Sequence, residues 1–202
     1  MVGGLAIRIA TRSDVPTLLE FRMGMIRDLS AAEQGRRPWD PDALRQTNEY
    51  WLEEHVDRDF VAWLAEIDGR AAGTAAILWF PHPPGLRKPP GLEAHILNVY
   101  TKPEFRRLGI ARALVARVID EACARGVGRI WLRASREGRP LYEAMGFSES
   151  SYFELTLRRP SVSAQQVPAQ QVPPSPRPLR AWLNVEPGRS WQRRTQPSVK
   201  PL

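Results

Sequence analysis

Between Glu104 and Leu114 the chain reads EFRRLGIARAL, with two adjacent arginines, one glycine and one alanine ahead of an apolar-periodic run. A cationic turn with few bulky side chains at the mouth of a helix suits an anion. The first backbone N–H groups of a helix have no intrahelical partner and point outward. The helix dipole adds about 0.3–1 kcal/mol per favourable charge. Gly109 and Ala111 keep side chains clear of those groups, and Arg106, Arg107 and Arg112 are able to reach round the rim. Two familiar phosphate loops do not fit. A P-loop requires Gly-Lys-Ser/Thr, which occurs nowhere in the chain, and a dinucleotide fingerprint requires G-x-G-x-x-G, where this turn has a single glycine followed by Ala111 and Arg112. Other reactive groups are sparse. Cys123 is the one cysteine, so it forms no intrachain disulfide or thiolate-cluster metal site, and it reads as packing. No His/Asp/Glu spacing suggests a metal, and none is expected.

The elements that must position this turn are strands and helices in alternation. LAIRIA places Leu5, Ile7 and Ile9 on one face of a strand. Ser13-Asp14-Val15-Pro16 is a helix start with a cap residue and an early proline, and the helix is expected to run to about Leu29. Asp40-Pro41-Asp42 opens a second helix, to about His55. Two apolar strands flank Asp68-Gly69, a hairpin turn signal, and the proline-rich stretch Pro81 to Pro90 is a loop. LEAHILNVY is a fourth strand. The helix after the arginine turn carries Leu114, Val115, Val118, Ile119 and Ala122 on one stripe and stops at Gly126. RIWLRA is a short strand, REGRPLYEAMGF a short helix ending at Gly146, and YFELTL a last strand. The expected fold is α/β (α+β): a mixed, mostly antiparallel sheet flanked by helices, in β-α-α-β-β-β-α-β-α-β order.

In this setting the turn resembles a known signature. Arg106-Arg107-Leu108-Gly109-Ile110-Ala111 fits [QR]-x-x-G-x-[GA], the acetyl-CoA motif of the GNAT N-acetyltransferase superfamily, and Leu141-Tyr142 to Gly146-Phe147 fits that family's L-Y-x-x-x-G-F. The strand before the turn and the element order across residues 5–157 are similar too. The resemblance implies that the turn, from Arg106 to Arg112, binds the pyrophosphate of acetyl-CoA as co-substrate. It also implies that the preceding strand bulges, splays from its neighbour and offers backbone groups around Val99, Tyr100 and Thr101 to the pantetheine arm. Tyr142 then lies near the sulfur. A phenol with a pKa of about 10 stays protonated at neutral pH and is able to protonate the departing thiolate. The family often carries a glutamate base on the fourth strand, and its position here is His95. Glu93 shares the strand face two residues earlier. Either is a base, a substrate contact or a rim residue. The family's asparagine near the tyrosine-bearing helix has no match, although Ser135 is able to take its place. Asn98 is able to aim at the pantetheine, or is an inward polar residue paired with backbone.

The implied function is transfer of acetyl from acetyl-CoA to a primary amine by direct attack. An ammonium with a pKa of about 10.4 must lose a proton first, which costs roughly 4.6 kcal/mol at pH 7. Protein N-termini, lysine side chains and small amines all stay open as acceptors. So does a different class, a non-catalytic CoA-binding or partner-binding module on the same fold.

The net charge of +7 does not point to nucleic acid. Residues 158–202 hold eight Lys/Arg and one acid, while residues 1–157 hold 21 of each sign, so the body is formally neutral. The tail also holds nine of the 19 prolines and the tandem AQQVPAQQVP. That composition reads as a basic, disordered extension to a 1–157 acetyltransferase domain. No secretory signal or membrane span is recognisable, so a cytoplasmic location is expected. A homodimer stays open.

Overall fold

The computed structural model describes residues 4–32, 40–83 and 91–150. Strand β1 (Leu5–Ile9) leads through a 3-10 turn into helix α1 (Val15–Ala32), followed by α2 (Pro41–His55). Strands β2 (Phe60–Ile67), β3 (Arg70–Pro81) and β4 (Leu92–Thr101) come next, then α3 (Ile110–Ala124), β5 (Arg129–Leu132) and α4 (Arg139–Glu143). The sheet order is β1-β2-β3-β4-β5, antiparallel except for the parallel β4–β5 pair. This is the mixed, mostly antiparallel sheet with helices expected from the pattern. The expected last strand at Tyr152–Leu157, most of the Pro81–Pro90 loop and the 158–202 tail lie outside the described residues.

Local chemistry accounts for the element ends. Asp68 at φ 50° and Gly69 at φ 74° make a tight β2–β3 turn whose twist matches the strands. Asp40 caps α2, its Oδ1 accepting from the N–H of Asp42 at 2.9 Å and of Ala43 at 3.3 Å. The entry to α1 differs from the expectation of a Ser13 cap. The cap is Thr11, whose N–H donates to Asp14 Oδ2 at 2.8 Å, and Asp14 in turn takes two 2.8 Å bonds from Arg8 of β1. A carboxylate in the first turn that meets a guanidinium on the neighbouring strand outcompetes a serine hydroxyl.

Two layers cover the sheet. On one face α1 and α2 bury Leu18, Leu19, Phe21 and Leu52 against Phe60, Ala62, Leu64 and Ala76, and Leu97 and Tyr100 pack at the border. On the other, α3 buries Ile110, Leu114, Val115, Val118 and Ala122. Alternation along β4 puts Ala94 and Ile96 in the core, and Glu93, His95 and Leu97 on the α1–α2 face. Gly73 of β3 is required by close approach, since a Cβ there would lie 2.8 Å from the Tyr100 carbonyl oxygen and 3.2 Å from Ile110 Cγ2.

Candidate active site

Strand β4 changes partners halfway. Its pairing with β5 runs from Glu93–Arg129 to Ile96–Leu132 and stops there. From Leu97 to Thr101 it pairs only with β3 among the described residues, so the sheet opens between β4 and β5. The same stretch bulges: Ala76 pairs Leu97 and Thr74 pairs Tyr100, so Ala75 alone faces both Asn98 and Val99. Asn98 takes the bulge with φ 52°, a left-handed conformation that Asn adopts more readily than most residues. An opening beside a bulge frees backbone groups from the ladder, as the resemblance required of Val99, Tyr100 and Thr101. Thr101 adds a buried hydroxyl with no hydrogen-bond partner among the described residues, an orphan that suits a polar ligand in the opening.

The arginine turn follows directly. Arg107 at φ 65° and Gly109 at φ 79° bend the chain into α3. No described side chain caps this helix, and its first backbone bond is donated by the Ala113 N–H to the Gly109 carbonyl at 3.0 Å. The N–H groups of Ile110, Ala111 and Arg112 are therefore available. A missing cap costs about 1 kcal/mol. Burial of Ile110 and Leu114, at about 2 kcal/mol each, holds the helix in place without one. Leu108, Arg107 and Arg112 are exposed around the turn, and Ala111 is half-buried. Arg106 is not free at the rim. It pairs with Asp28 of α1, donates Nε to the Thr101 carbonyl at 3.1 Å and lies over the Tyr100 ring at 5.7 Å. Tyr100 also donates to Asp28, at 3.3 Å. Arg106 thus ties the turn and β4 to α1, and Arg107 and Arg112 remain as exposed cations beside the turn.

Of the two base candidates, Glu93 is engaged. Arg129 Nη2 donates to its Oε2 at 2.5 Å and His82 Nε2 stands 3.8 Å from Oε1. His95 makes no hydrogen bond among the described residues. It stacks on Trp131 of β5 with ring centres 3.9 Å apart and planes 9° off parallel, and Phe80 leans on both. Burial, aided by the positive charge of Arg133, holds the His95 pKa below its ordinary value, so the ring is neutral at pH 7.

Tyr142 is buried on α4, its ring edge-to-face with Phe147 at 5.9 Å. Burial raises its pKa, which keeps the phenol protonated. Ser135 Oγ accepts from the Gly138 N–H at 3.1 Å and its carbonyl accepts from the Arg139 N–H at 3.0 Å. Ser135 therefore shapes the turn that presents Tyr142. A cavity of about 1450 Å³ between β5 and α4 is lined by Glu93, Arg129, Trp131, Arg133, Tyr142 and Phe147, among others. Its described lining brings Tyr142 and Glu93 to one space, and includes neither His95 nor the Gly109 turn. Trp131, which lines the cavity and stacks on His95, went unread in the sequence. Its only signal is the register that sets it opposite His95.

Residues 25–147, well over half of the chain, match the Acetyltransferase (GNAT) family. The chain belongs to that family. This GNAT chain is similar to a crystal structure of a GCN5-related N-acetyltransferase from Ralstonia eutropha, with 26% identity and a TM-score of 0.68 over 76% of this chain and 99% of that one. It is also similar to a predicted acetyltransferase from Clostridium acetobutylicum solved with acetyl-CoA, at 28% identity and a TM-score of 0.66 over 76% of this chain and 96% of that one. A curated relative, the [Ribosomal protein bS18]-alanine N-acetyltransferase of Escherichia coli K12, is 42% identical over 70 residues, 33% of this chain and 44% of that protein. The match thus spans less than half the length of that relative. No described helix of this GNAT chain is long and apolar enough to cross a membrane.

Proposed function

We propose that this chain transfers an acetyl group from acetyl-CoA to a primary amine by direct attack. One observation carries the reading: an uncapped helix start at Gly109 follows immediately on a bulged strand that has parted from its neighbour. The helix N–H groups, with Arg107 and Arg112, hold the pyrophosphate. The unpaired edge of β4 from Val99 to Thr101 takes the pantetheine arm, and the Thr101 hydroxyl gains a partner. Bound acetyl-CoA supplies the activated acyl group and its thiolate leaving group.

His95 is the base. A neutral imidazole with no competing hydrogen bond among the described residues accepts the ammonium proton and relays it to solvent, and a positioned base of this kind contributes about 100- to 10,000-fold in rate. Glu93, held by Arg129, shapes the wall. Tyr142 donates its phenolic proton to the sulfur as the C–S bond breaks. The ammonium sheds two protons: the first passes to His95 and on to solvent, and the second, lost from nitrogen as the adduct collapses, restores Tyr142 after its phenolic proton has gone to the thiol. The name of the bS18-alanine relative makes a protein amine the first acceptor class to try.

Titration calorimetry with acetyl-CoA, followed by thiol release with a panel of amines, tests this. Binding and amine-dependent thiol release are expected. Binding without thiol release from any amine would mean a non-catalytic CoA module, and no binding at millimolar acetyl-CoA would sink both.

A further inference from the structure

Arg22 of α1 is half-buried, yet among the described residues its hydrogen bonds go to no carboxylate. Its Nε donates to Asn48 Oδ1 on α2 at 3.1 Å, and its Nη1 to Asn98 Oδ1 at the β4 bulge at 2.8 Å. Desolvation lowers its pKa. Taking a cation partly out of water with two amides as its only partners among the described residues is unfavourable. The arrangement therefore invites the question of what those amides gain.

A guanidinium only donates hydrogen bonds. The atom of each amide that faces Arg22 is therefore oxygen, and each NH2 group points elsewhere. For Asn48 the destination is within the helix, where Nδ2 donates to the Leu44 carbonyl at 2.8 Å. Asn98 differs. Its NH2 group has no partner among the described residues, although the side chain is half-buried and locked at its oxygen. A cation on the oxygen also polarises the amide and strengthens it as a donor. The backbone holds it still, because Asn98 is the left-handed residue of the bulge.

Position then selects the ligand. Asn98 lies two residues past Ile96, where the β4–β5 pairing ends. It is met by Arg22 from the α1 side, the face that also carries His95. The arginine turn starts α3, which packs on the opposite face. A thioester whose phosphates sit on the α3 side enters the opening from there, and an attacking amine arrives from the face of His95 and Asn98. A donor at that spot meets an acceptor oxygen on the incoming amine, only a few bonds from the reacting nitrogen.

We propose that the Asn98 NH2 group, aimed by Arg22, binds a carbonyl oxygen of the acceptor. The acceptor is then an α-amino acyl compound, a peptide N-terminus or an amino amide, in preference to a bare alkylamine. Asn98 is a specificity-determining contact and Arg22 a positioning residue. This rests on the acetyltransferase reading above.

The test compares alaninamide with isopropylamine, which lacks the carbonyl, at one pH and saturating acetyl-CoA. Asn98→Asp keeps the shape and the bond to Arg22 but replaces the donor with an oxygen that repels a carbonyl. It should lower kcat/KM for alaninamide by about tenfold or more and for isopropylamine by less than about twofold. Asn98→Gly tolerates the left-handed backbone and removes the donor, and should cost alaninamide about threefold. Arg22→Gln should shift the same ratio in the wild-type background and leave it unchanged in the Asn98→Gly background. A change in the ratio that persists in that background overturns the role given to Arg22. Melting temperature and acetyl-CoA affinity show that each variant is folded. An equal loss on both acceptors, or no loss in Asn98→Asp, overturns the proposal and leaves the acetyltransferase reading standing. Wild-type failure to release thiol with either acceptor overturns both.

Discussion

His95 and Glu93 occupy equivalent positions on one strand face and differ in what touches them. Glu93 has an arginine at 2.5 Å, while His95 has an aromatic stack and no hydrogen bond among the described residues. A base needs a free lone pair, so the two should respond differently to truncation. His95→Ala should lower kcat by more than about tenfold, as expected for a lost general base. Glu93→Ala should lower it less and instead reduce stability, by about 1–2 kcal/mol, because it leaves half-buried Arg129 without that partner. The pH profile separates roles further. With its pKa held below the ordinary value, His95 is ready to accept a proton at pH 7 and loses that ability only as pH falls below about 6.5. The difference between the wild-type and His95→Ala profiles on one acceptor should be an acid limb in that range. Equal profiles would move the base elsewhere.

At the scale of elements, the start of α3 and the start of α1 solve the same problem in opposite ways. Helix α3 leaves its first N–H groups open, and α1 closes its entry with Thr11, Asp14 and Arg8. Gly109 has open space around its missing Cβ, so Gly109→Ala fails through its φ of 79° alone. The strain, of order 1 kcal/mol, disturbs the turn. Acetyl-CoA affinity should fall about fivefold by calorimetry with little change in melting temperature. Asp14 shows the reverse. Arg8 and the Thr11 N–H hold its carboxyl well below the usual carboxylate range. A depressed folded pKa contributes stability that is present above the unfolded value, about 3.9, and lost as pH falls toward the folded one. Asp14→Asn should cost about 2 kcal/mol at pH 7 in urea unfolding, and the gap to wild type should shrink below about pH 4.

For the whole molecule, the charge distribution matters more than its sum. All of the excess positive charge falls in residues 158–202, and the rest is balanced. If the site attracts acetyl-CoA through Arg107, Arg112 and the helix dipole, the tail is irrelevant to that step. A chain ending at residue 157 should then keep kcat/KM for acetyl-CoA within about twofold of the full chain, with the same salt dependence, since screening falls within about 10 Å at 0.1 M salt. A flatter salt dependence in the shortened chain would assign the attraction to the tail.

The arginine turn, the Asp68-Gly69 hairpin, the Asp40 cap and the short helix ending at Gly146 were legible in the chain itself. Each rests on forces that act within a few residues: turn propensity, capping and helical or strand periodicity. From them the element order through α4 followed, whereas the place given to Tyr142 came from the family resemblance. Tertiary structure alone decided the rest. Arg106 was read as a rim cation, but it pairs with Asp28, 78 residues away. His95 gained its stack from a strand that only the parallel register brings alongside. Asn98 looked like a mid-strand polar residue until β3 supplied one residue against two and forced the bulge. Arg22, Asn48 and Asn98 meet from two helices and a strand, and no local pattern records which atom of an amide faces a distant guanidinium. Sequence determined which segments carry the chemistry, and packing determined which atoms of them are free to perform it.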